Sequence, residues 1–192
     1  MLSPFTVLSL SNLSQVTWKS DNRRGSGRVW GMENGAQSPR RLIAVFESPV
    51  SEMLFRFGVE LGFQTVLVEP DPTRLGGTPR PHGDTYVSDL SAAAPDEHTD
   101  ILLTDHHRPE IGALLREALD GKARWIGILG NPRHEGPHVA ALRELGVPEE
   151  EIGRVHRPVG LNIGSRTPAE IAVATLAGLI ADRNGRPGGF EF

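Results

Sequence analysis

Two rhythms of apolar and polar positions alternate along the chain and predict strands and helices in turn. Continuous apolar runs occur after residue 40 as "RLIAVFE", "QTVLVE", "TDILLT" and "RWIGILG". Runs of this length are typical of parallel strands that are buried on both faces of a sheet. Between the first two runs, apolar residues repeat at helical spacing until a glycine ends the repeat: Val50, Met53, Leu54, Phe57 and Leu61, then Gly62.

The remaining elements follow the same alternation. A short strand is predicted at "TYVSDL", helices at "RPEIGALLREALDG", "NPRHEGPHVAALRELG" and "TPAEIAVATLAGLIADR", a short helical segment at "PEEEIGRV", and a loop at "HRPVGLNIGSR". We expect Asn131 to cap the second of these helices and Pro132 to begin it. The last helix is apolar on nearly all sides, so we expect it to be buried. Strands that alternate with helices predict an α/β fold, a Rossmann-like parallel sheet with helices on both faces.

The regular pattern covers a single domain, which we place at residues 41–184. Residues 1–40 contain a stretch rich in glycine, serine, arginine and asparagine. We interpret them as a loosely attached N-terminal extension, with either a weak hairpin at residues 6–30 or no fixed order. Residues 185–192 form a short tail.

Composition excludes several classes of protein. The net charge is -4 and charged residues make up 23% of the 192 residues, so the basic excess of a nucleic-acid-binding protein is missing. The chain has no cysteine, which excludes disulfides, thiolate metal sites, iron–sulfur clusters and a cysteine nucleophile. No apolar run resembles a membrane span or a signal peptide. We therefore expect a cytoplasmic protein that binds neither nucleic acid nor membrane.

The first strand–turn–helix unit has the plan of a dinucleotide-binding unit without its glycines. The turn reads Glu47-Ser48-Pro49. Glu69 ends the second strand about 20 residues later, where such a unit places the carboxylate that binds a ribose, and Asp71 follows it. Glu47 brings a carboxylate near the pyrophosphate position, and no glycine lets the backbone approach. A conventional NAD(P) site is therefore not expected here.

Two more polar clusters follow predicted strands, at the edge where ligands bind in parallel sheets. One contains Asp105 and His106; the other contains Gly130, Asn131 and Arg133. The second is either a phosphate site at the start of a helix or an ordinary turn. The first is similar to the Asp-His-His stretch that names a phosphoesterase family. That family needs further acidic clusters that we do not find, so no metal site is predicted.

The stretch "GLNIGSRTPAE" before the last helix is the most informative part of the chain. Its Thr-Pro-Ala-Glu segment forms a capping box with proline at the first helical position. Free backbone N–H groups, the positive helix end and an arginine together predict an anion site. The alternative is a well-capped core helix behind an ordinary loop. The candidate residues are Gly160, Gly164, Ser165, Arg166 and Thr167.

Three ordered pieces of sequence resemble the C-terminal domain of the XdhC/CoxI family. They are "LLTDHHRPEIGALLREAL", "WIGILGNPRH" and "LRELGVPEEEIGRVHRPVGLNIGSRTPAEIAVATLAGLI". The order His-x-Pro-x-Gly-Leu-x-Ile-Gly, followed by Thr-Pro-x-Glu-Ile-Ala, makes the last piece long and specific. With the first strand–turn–helix unit, the resemblance covers about three quarters of the chain.

The resemblance implies a maturation factor for xanthine dehydrogenase and related molybdenum hydroxylases rather than an enzyme. It implies a Rossmann-like domain that transiently binds molybdenum cofactor (molybdopterin), protects it and helps to insert it. In some members this insertion is coupled to sulfuration by a cysteine desulfurase. The chain departs from the family in its Glu47-Ser48-Pro49 turn, in Gly130-Asn131-Pro132-Arg133 where the family has Gly-Ser-Arg, and in lacking an N-terminal XdhC domain of normal size. It is therefore expected to work beside a subunit that carries this domain, or as a divergent paralogue. Because Rossmann-like accessory proteins often dimerise, a homodimer is a further expectation.

These observations lead to one site hypothesis and two alternatives. In the hypothesis, Arg133 and the loop at residues 160–167 hold an anionic pterin or a nucleotide phosphate. Glu69 or Asp71 then binds a ribose or pterin edge, and Asp105 and His106 line the same crevice. The first alternative is an NAD(P)-binding oxidoreductase. The second is a scaffold subunit that binds no ligand and only docks a hydroxylase or a sibling subunit.

Overall fold

Six parallel strands form one sheet in the computed structural model, which describes residues 40–75, 85–131 and 135–189. The order across the sheet is β3-β2-β1-β4-β5-β6, so the direction of winding reverses between β1 and β4. In sheets of this kind, the crevice for a ligand lies at the carboxyl ends of the strands beside that reversal. The strands are β1 Arg40–Val45, β2 Phe63–Val68, β3 Thr85–Val87, β4 Thr99–Leu103, β5 Trp125–Ile128 and β6 Val155–His156.

Helices cover both faces of the sheet. They are α1 Pro49–Glu60, α2 Ile111–Asp120, α3 Pro137–Glu144, α4 Glu149–Ile152 and α5 Pro168–Arg183, with a 3₁₀ turn at Pro72–Arg74. Successive strand residues point to opposite faces, so neighbours in β1 serve different cores. Leu42 packs in the core shared with α1 and α5, whereas Ile43 packs in the core shared with α2, α3 and α4. Among the described residues, no helix is long and apolar enough to cross a membrane.

The predicted α/β fold, a Rossmann-like parallel sheet with helices on both faces, is confirmed. The strands predicted from the four apolar runs, and the helix predicted to begin at Pro49, lie where the sequence places them. The N-terminal extension up to residue 39 and Arg133 lie outside the described residues. The boundaries of the domain at residues 41 and 184 stay a prediction.

Two elements differ from the prediction. The third helix begins at Pro137 with Gly136 as its N-cap, so Asn131 does not cap a helix. Because a residue before proline avoids the helical conformation, Gly136 takes up extended backbone and the helix starts only after it. The edge strand Val155–His156 lies where a helical segment and a loop were predicted. Two residues are too few to produce a strand periodicity.

The expectation that the last helix is buried holds for only part of its surface. Ala172, Leu176 and Leu179 of α5 are buried against the sheet and α1, but Val173 is 50% exposed. A helix in an outer layer of a three-layer fold buries only the face that meets the sheet and its neighbour. The outer face of α5 therefore carries an accessible apolar side chain at Val173.

A buried carboxylate fastens the C-terminal end of α5 to the sheet. Asp100 of β4 is fully buried and accepts hydrogen bonds from Arg124 Nε at 2.7 Å and Arg183 Nε at 2.9 Å. Arg124 also pairs with Asp182, and Arg183 Nη2 donates to the carbonyl of His98 at 2.6 Å. These contacts lie at the amino end of β4, opposite the edge that carries the crevice. They fix α5, and through it the loop that precedes α5.

Two glycines let the loop before α5 lie directly on the middle of that helix. Gly160 has φ of 87°, and a Cβ atom there would lie 2.8 Å from the backbone of Ala174 and Thr175. A Cβ atom at Gly178 would in turn lie 3.0 Å from the Cα of Gly160. The N–H of Leu161 donates to the carbonyl of Ala174 at 3.0 Å. Loop 157–167 is thereby held close to α5.

We predict that Gly160→Ala destabilises the fold more than Gly164→Ala. Both glycines have positive φ, 87° and 70°, so both variants carry the strain of the left-handed region, about 1–3 kcal/mol. Gly160→Ala adds a clash with the backbone of α5, whereas a Cβ atom at Gly164 meets nothing within 4 Å. Urea unfolding of the two variants measures the difference. Equal losses of stability would show that the close contact is not tight in solution.

Candidate functional site

The turn after β1 is closed by a carboxylate of the protein itself. Glu69 follows β2 and is fully buried. Its Oε2 accepts the backbone N–H of Glu47 at 2.9 Å, and its Oε1 accepts the backbone N–H of Asp71 at 3.0 Å. Phe46, which precedes Glu47, has φ of 76°, an unusual conformation for a bulky residue. The side chain of Glu69 therefore satisfies a turn N–H group that a glycine-rich loop would offer to a pyrophosphate.

Arg108 neutralises Glu69 from across the sheet. It lies after β4, and its Nη1 and Nη2 donate to Oε2 and Oε1 of Glu69 at 3.2 and 2.8 Å. Its Nε and Nη2 also donate to Glu110 at 3.3 and 3.1 Å. The guanidinium carbon lies 4.4 Å from the centroid of the Phe46 ring. The hydrogen bond to Glu69 raises the pKa of Arg108, and the pair carries both its charges inside the protein.

The amino ends of α1 and α5 are both capped from within. At α1, Ser48 Oγ accepts the N–H of Ser51 at 3.0 Å, and Ser51 Oγ accepts the N–H of Ser48 at 2.9 Å. At α5, Glu170 Oε2 accepts the N–H groups of Arg166 and Thr167 at 2.7 and 3.0 Å. These two hydrogen bonds lower the pKa of Glu170. The donors that we expected to bind an anion at residues 166 and 167 thus already bind a carboxylate.

A cavity of about 750 Å³ opens at the carboxyl ends of β4 and β5. Its floor is formed by these strand ends and α1, and loop 157–167 and α5 form its other walls. The wall is mainly apolar and is completed by a few polar groups. Its lining residues include Val50, Leu129, Val159, Leu161, Ile163, Ile171 and Ala174, together with Thr104, His106, Asn131 and Ser165.

The polar groups of the cavity are held by the sheet edges beneath them. The hydroxyl of Thr104 lies 2.7 Å from the carbonyl of Phe46, which ties the end of β4 to that of β1. Arg157 Nη2 donates to the carbonyl of Asn131 at 2.6 Å, which steadies the chain after β5. Burial and then the neighbouring His107 lower the pKa of His106, and Asp105 opposes them. His106 is thus biased towards its neutral form, which both donates and accepts hydrogen bonds.

The structure brings about half of the predicted site residues together. The cavity is lined by His106, Gly130, Asn131, Gly160, Gly164 and Ser165. Asp105 lies beside it and accepts the N–H of His107 at 2.9 Å. Asp71 caps the 3₁₀ turn, and Arg166 and Thr167 belong to the cap of α5. Glu69 is enclosed by Arg108. Among the described residues no group of three His, Cys, Asp or Glu side chains is placed to hold a metal ion.

The apolar half of the cavity was missed by sequence reasoning. Val50, Leu129, Ile171 and Ala174 read as ordinary core positions of helices and strands. Only the strand order, which places β5 beside β4 with loop 157–167 above them, shows that these side chains face a common space. The single signal in the sequence for this apolar wall was Ile163, because a large apolar residue in a glycine-rich loop is unusual. Its side chain is 56% exposed in the structure.

Comparison with known proteins decides the family. Residues 42–179, which hold the sheet, the cavity and most of α5, match the family described as the XdhC Rossmann domain. The chain belongs to the XdhC Rossmann-domain family. The resemblance inferred from the sequence is thus confirmed.

Two relatives show how this XdhC Rossmann domain occurs elsewhere. The chain is 33% identical to the "Uncharacterized protein YqeB" of Escherichia coli (strain K12), over 78% of this chain and 28% of that protein. A crystal structure described as a xanthine dehydrogenase from Bacillus halodurans superposes with a TM-score of 0.62 at 26% identity. That match covers 79% of this chain and 45% of the other. The chain therefore spans less than half the length of either relative.

We predict that Arg108→Ala lowers the free energy of unfolding by about 3–5 kcal/mol, because it leaves the buried carboxylate of Glu69 without its partner. The matched control is Arg116→Ala, which removes an exposed arginine 4.0 Å from Asp120. We expect that variant to stay within about 0.5 kcal/mol of the original protein. Urea unfolding measures both. If the two variants lose the same stability, the Glu69–Arg108 pair does not hold the turn.

We predict that the stabilising effect of Glu170 depends on pH. Its pKa in the folded protein is lowered by the N–H groups of Arg166 and Thr167, below the value of about 4.3 for an unfolded chain. The contribution of the charge is therefore complete above that unfolded value and is lost as the pH falls through the folded one. Glu170→Gln should thus be less stable than the original protein at pH 7, and the gap should close below about pH 4. Urea unfolding across this range would show a constant gap if the charge played no part.

Proposed function

We propose that this chain is an accessory protein of a xanthine-dehydrogenase-type molybdenum hydroxylase, and that it binds molybdenum cofactor and assists its insertion. The observation that carries the proposal is the cavity at the carboxyl ends of β4 and β5, beside the reversal of strand order. Membership of the XdhC Rossmann-domain family and the Bacillus halodurans relative support the choice of hydroxylase. In this role the chain carries its ligand without transforming it.

The residues that line the cavity fit the organic part of this ligand. A volume of about 750 Å³ is within the range of pockets for molecules of this size. A pterin has flat apolar faces and an edge of hydrogen-bonding groups. Val50, Leu129 and Ile171 provide apolar wall for the faces, and His106 and Asn131 provide polar groups for the edge. Because the chain has no cysteine, a bond from a thiolate of this chain to molybdenum is excluded. The contacts that hold the cofactor are therefore made to its pterin.

We propose that the phosphate of the pterin points out of the cavity rather than to the start of α5. Glu170 already occupies the donors there, and a second anion would have to displace its charged carboxylate. Arg166 is exposed next to Ser165, which lines the cavity. Arg133 remains the other predicted phosphate ligand. We propose that further contacts come from a subunit with the N-terminal XdhC domain, or from a cysteine desulfurase.

An NAD(P)-binding oxidoreductase is the second candidate, because the strand order is that of a dinucleotide-binding fold. The hydrogen bonds that Glu69 already accepts oppose this candidate. The carboxylate that would bind the ribose accepts hydrogen bonds from Arg108 and from the N–H groups of Glu47 and Asp71. The third candidate, a scaffold that binds no ligand, is suggested by the exposed side chain of Val173 on α5.

Ligand analysis of the protein purified from cells that make molybdenum cofactor tests the proposal. We expect pterin, released by oxidation and identified by mass spectrometry, in near-stoichiometric amount. NAD(P) in its place would favour the oxidoreductase. A protein without pterin or nucleotide that purifies with a hydroxylase would favour the scaffold.

We predict that His106→Ala lowers the affinity for pterin by about twofold to tenfold, the effect of losing one hydrogen bond of about 0.5–1.5 kcal/mol. The matched control is His107→Ala. His107 is the next residue, is exposed and does not line the cavity, although its ring lies 4.0 Å from that of His106. We expect the control to keep its pterin. Equal losses in both variants would remove the cavity from consideration as the pterin site.

A further inference from the structure

The carboxyl edge of the sheet has two halves with opposite properties. The half at β4 and β5 contains the cavity. The half at β1 and β2 is the place where a fold of this strand order holds a nucleoside and its phosphate. In that second half, buried protein groups fill the positions that would contact a nucleotide.

Among the described residues, two groups that a nucleotide would contact at β1 and β2 already have partners within the chain. The carboxylate that would accept ribose hydroxyls belongs to Glu69, which is fully buried and binds Arg108 through both oxygens. The turn N–H of Glu47 that would face a phosphate donates to the same carboxylate at 2.9 Å. The ring of Phe46, at the end of β1, lies under the guanidinium of Arg108 at 4.4 Å.

Arg108 reaches this position from the end of β4, two strands away from β2. Its backbone follows β4, and its side chain crosses the end of β1 to meet Glu69 at the end of β2. Glu110 holds the same guanidinium at 3.1 and 3.3 Å. The side chain is itself almost completely buried, so it bridges the path along which a dinucleotide would run.

We infer that Arg108, locked on Glu69, determines ligand size: the site accepts a pterin that ends in a single phosphate and makes no contact with the nucleotide of the dinucleotide form of the cofactor. This inference rests on the proposed function for the identity of the pterin. The closed state of the β1–β2 half does not depend on it.

The first test uses the unaltered protein and four probes: adenosine, cytidine and their 5′-monophosphates. Calorimetry should detect no binding of any probe up to about 1 mM. In competition, the dinucleotide form of the pterin should bind no tighter than the monophosphate form. A nucleotide that binds below this concentration, or a dinucleotide preference of about tenfold or more, would overturn the inference.

The second test opens the closed half. Arg108→Ala removes the bridge and leaves Glu69 available to ribose hydroxyls, so the nucleosides should now bind at least tenfold more tightly than to the original protein. The matched control is Arg74→Ala, which removes an exposed arginine of the nearby 3₁₀ turn and should change nothing. If Arg108→Ala does not fold, the double variant Glu69→Gln/Arg108→Ala removes both charges and the bridge together, and its side-chain amide can still bond a ribose hydroxyl. Nucleosides should bind this variant more tightly than the original protein, and a folded double variant that does not bind them would overturn the inference.

The outcomes separate the two proposals. If pterin fails to bind and the nucleosides bind only to Arg108→Ala, the proposed function is wrong and the closed half is correct. If pterin binds and the original protein also binds nucleotides, the proposed function survives and the inference about Arg108 is wrong.

Discussion

The buried ion pair of Glu69 and Arg108 is the interaction on which the structure of the carboxyl edge of the sheet depends. It joins the ends of β2 and β4 across β1, and its Glu69 carboxylate also accepts the N–H of Glu47 in the turn that leads into α1. A buried carboxylate without these partners would be strongly destabilising. The chain can therefore dispense with glycines in the turn at residues 47–49, because a side chain supplies the anion that a bound phosphate supplies in other folds of this plan.

Most of the sheet could be predicted because its strands are buried on both faces. The apolar residues of the run "RLIAVFE" can all be buried only in the centre of a parallel sheet. The local sequence is therefore enough to predict this strand. The start of α3 and the strand β6 could not be predicted in the same way. The start of α3 depends on Gly136, which precedes a proline and caps the helix although Asn131 is an equally good cap in the sequence. The strand β6 depends on its pairing with β5, which is distant in the sequence.

The site was predictable only in its polar half. His106 and Asn131 follow strands, so the rule for carboxyl edges finds them. Nothing near Glu69 in the sequence indicates that Arg108, 39 residues away, encloses it. The capping box at Thr167 was visible, but the same glutamate that identifies it also uses the donors that were expected for an anion. Local motifs thus revealed which groups are present and not which of them remain available.

The packing of Gly160 on α5 has a consequence for the rate at which a ligand leaves. Loop 157–167 touches the helix backbone at Gly160 and Gly178 and donates a hydrogen bond from Leu161. The lip of the cavity is therefore preorganised, and a ligand that enters does not have to order it. For the proposed role of a cofactor carrier, this means that the residence time of the ligand is set by its contacts with the cavity and not by the opening of a lid.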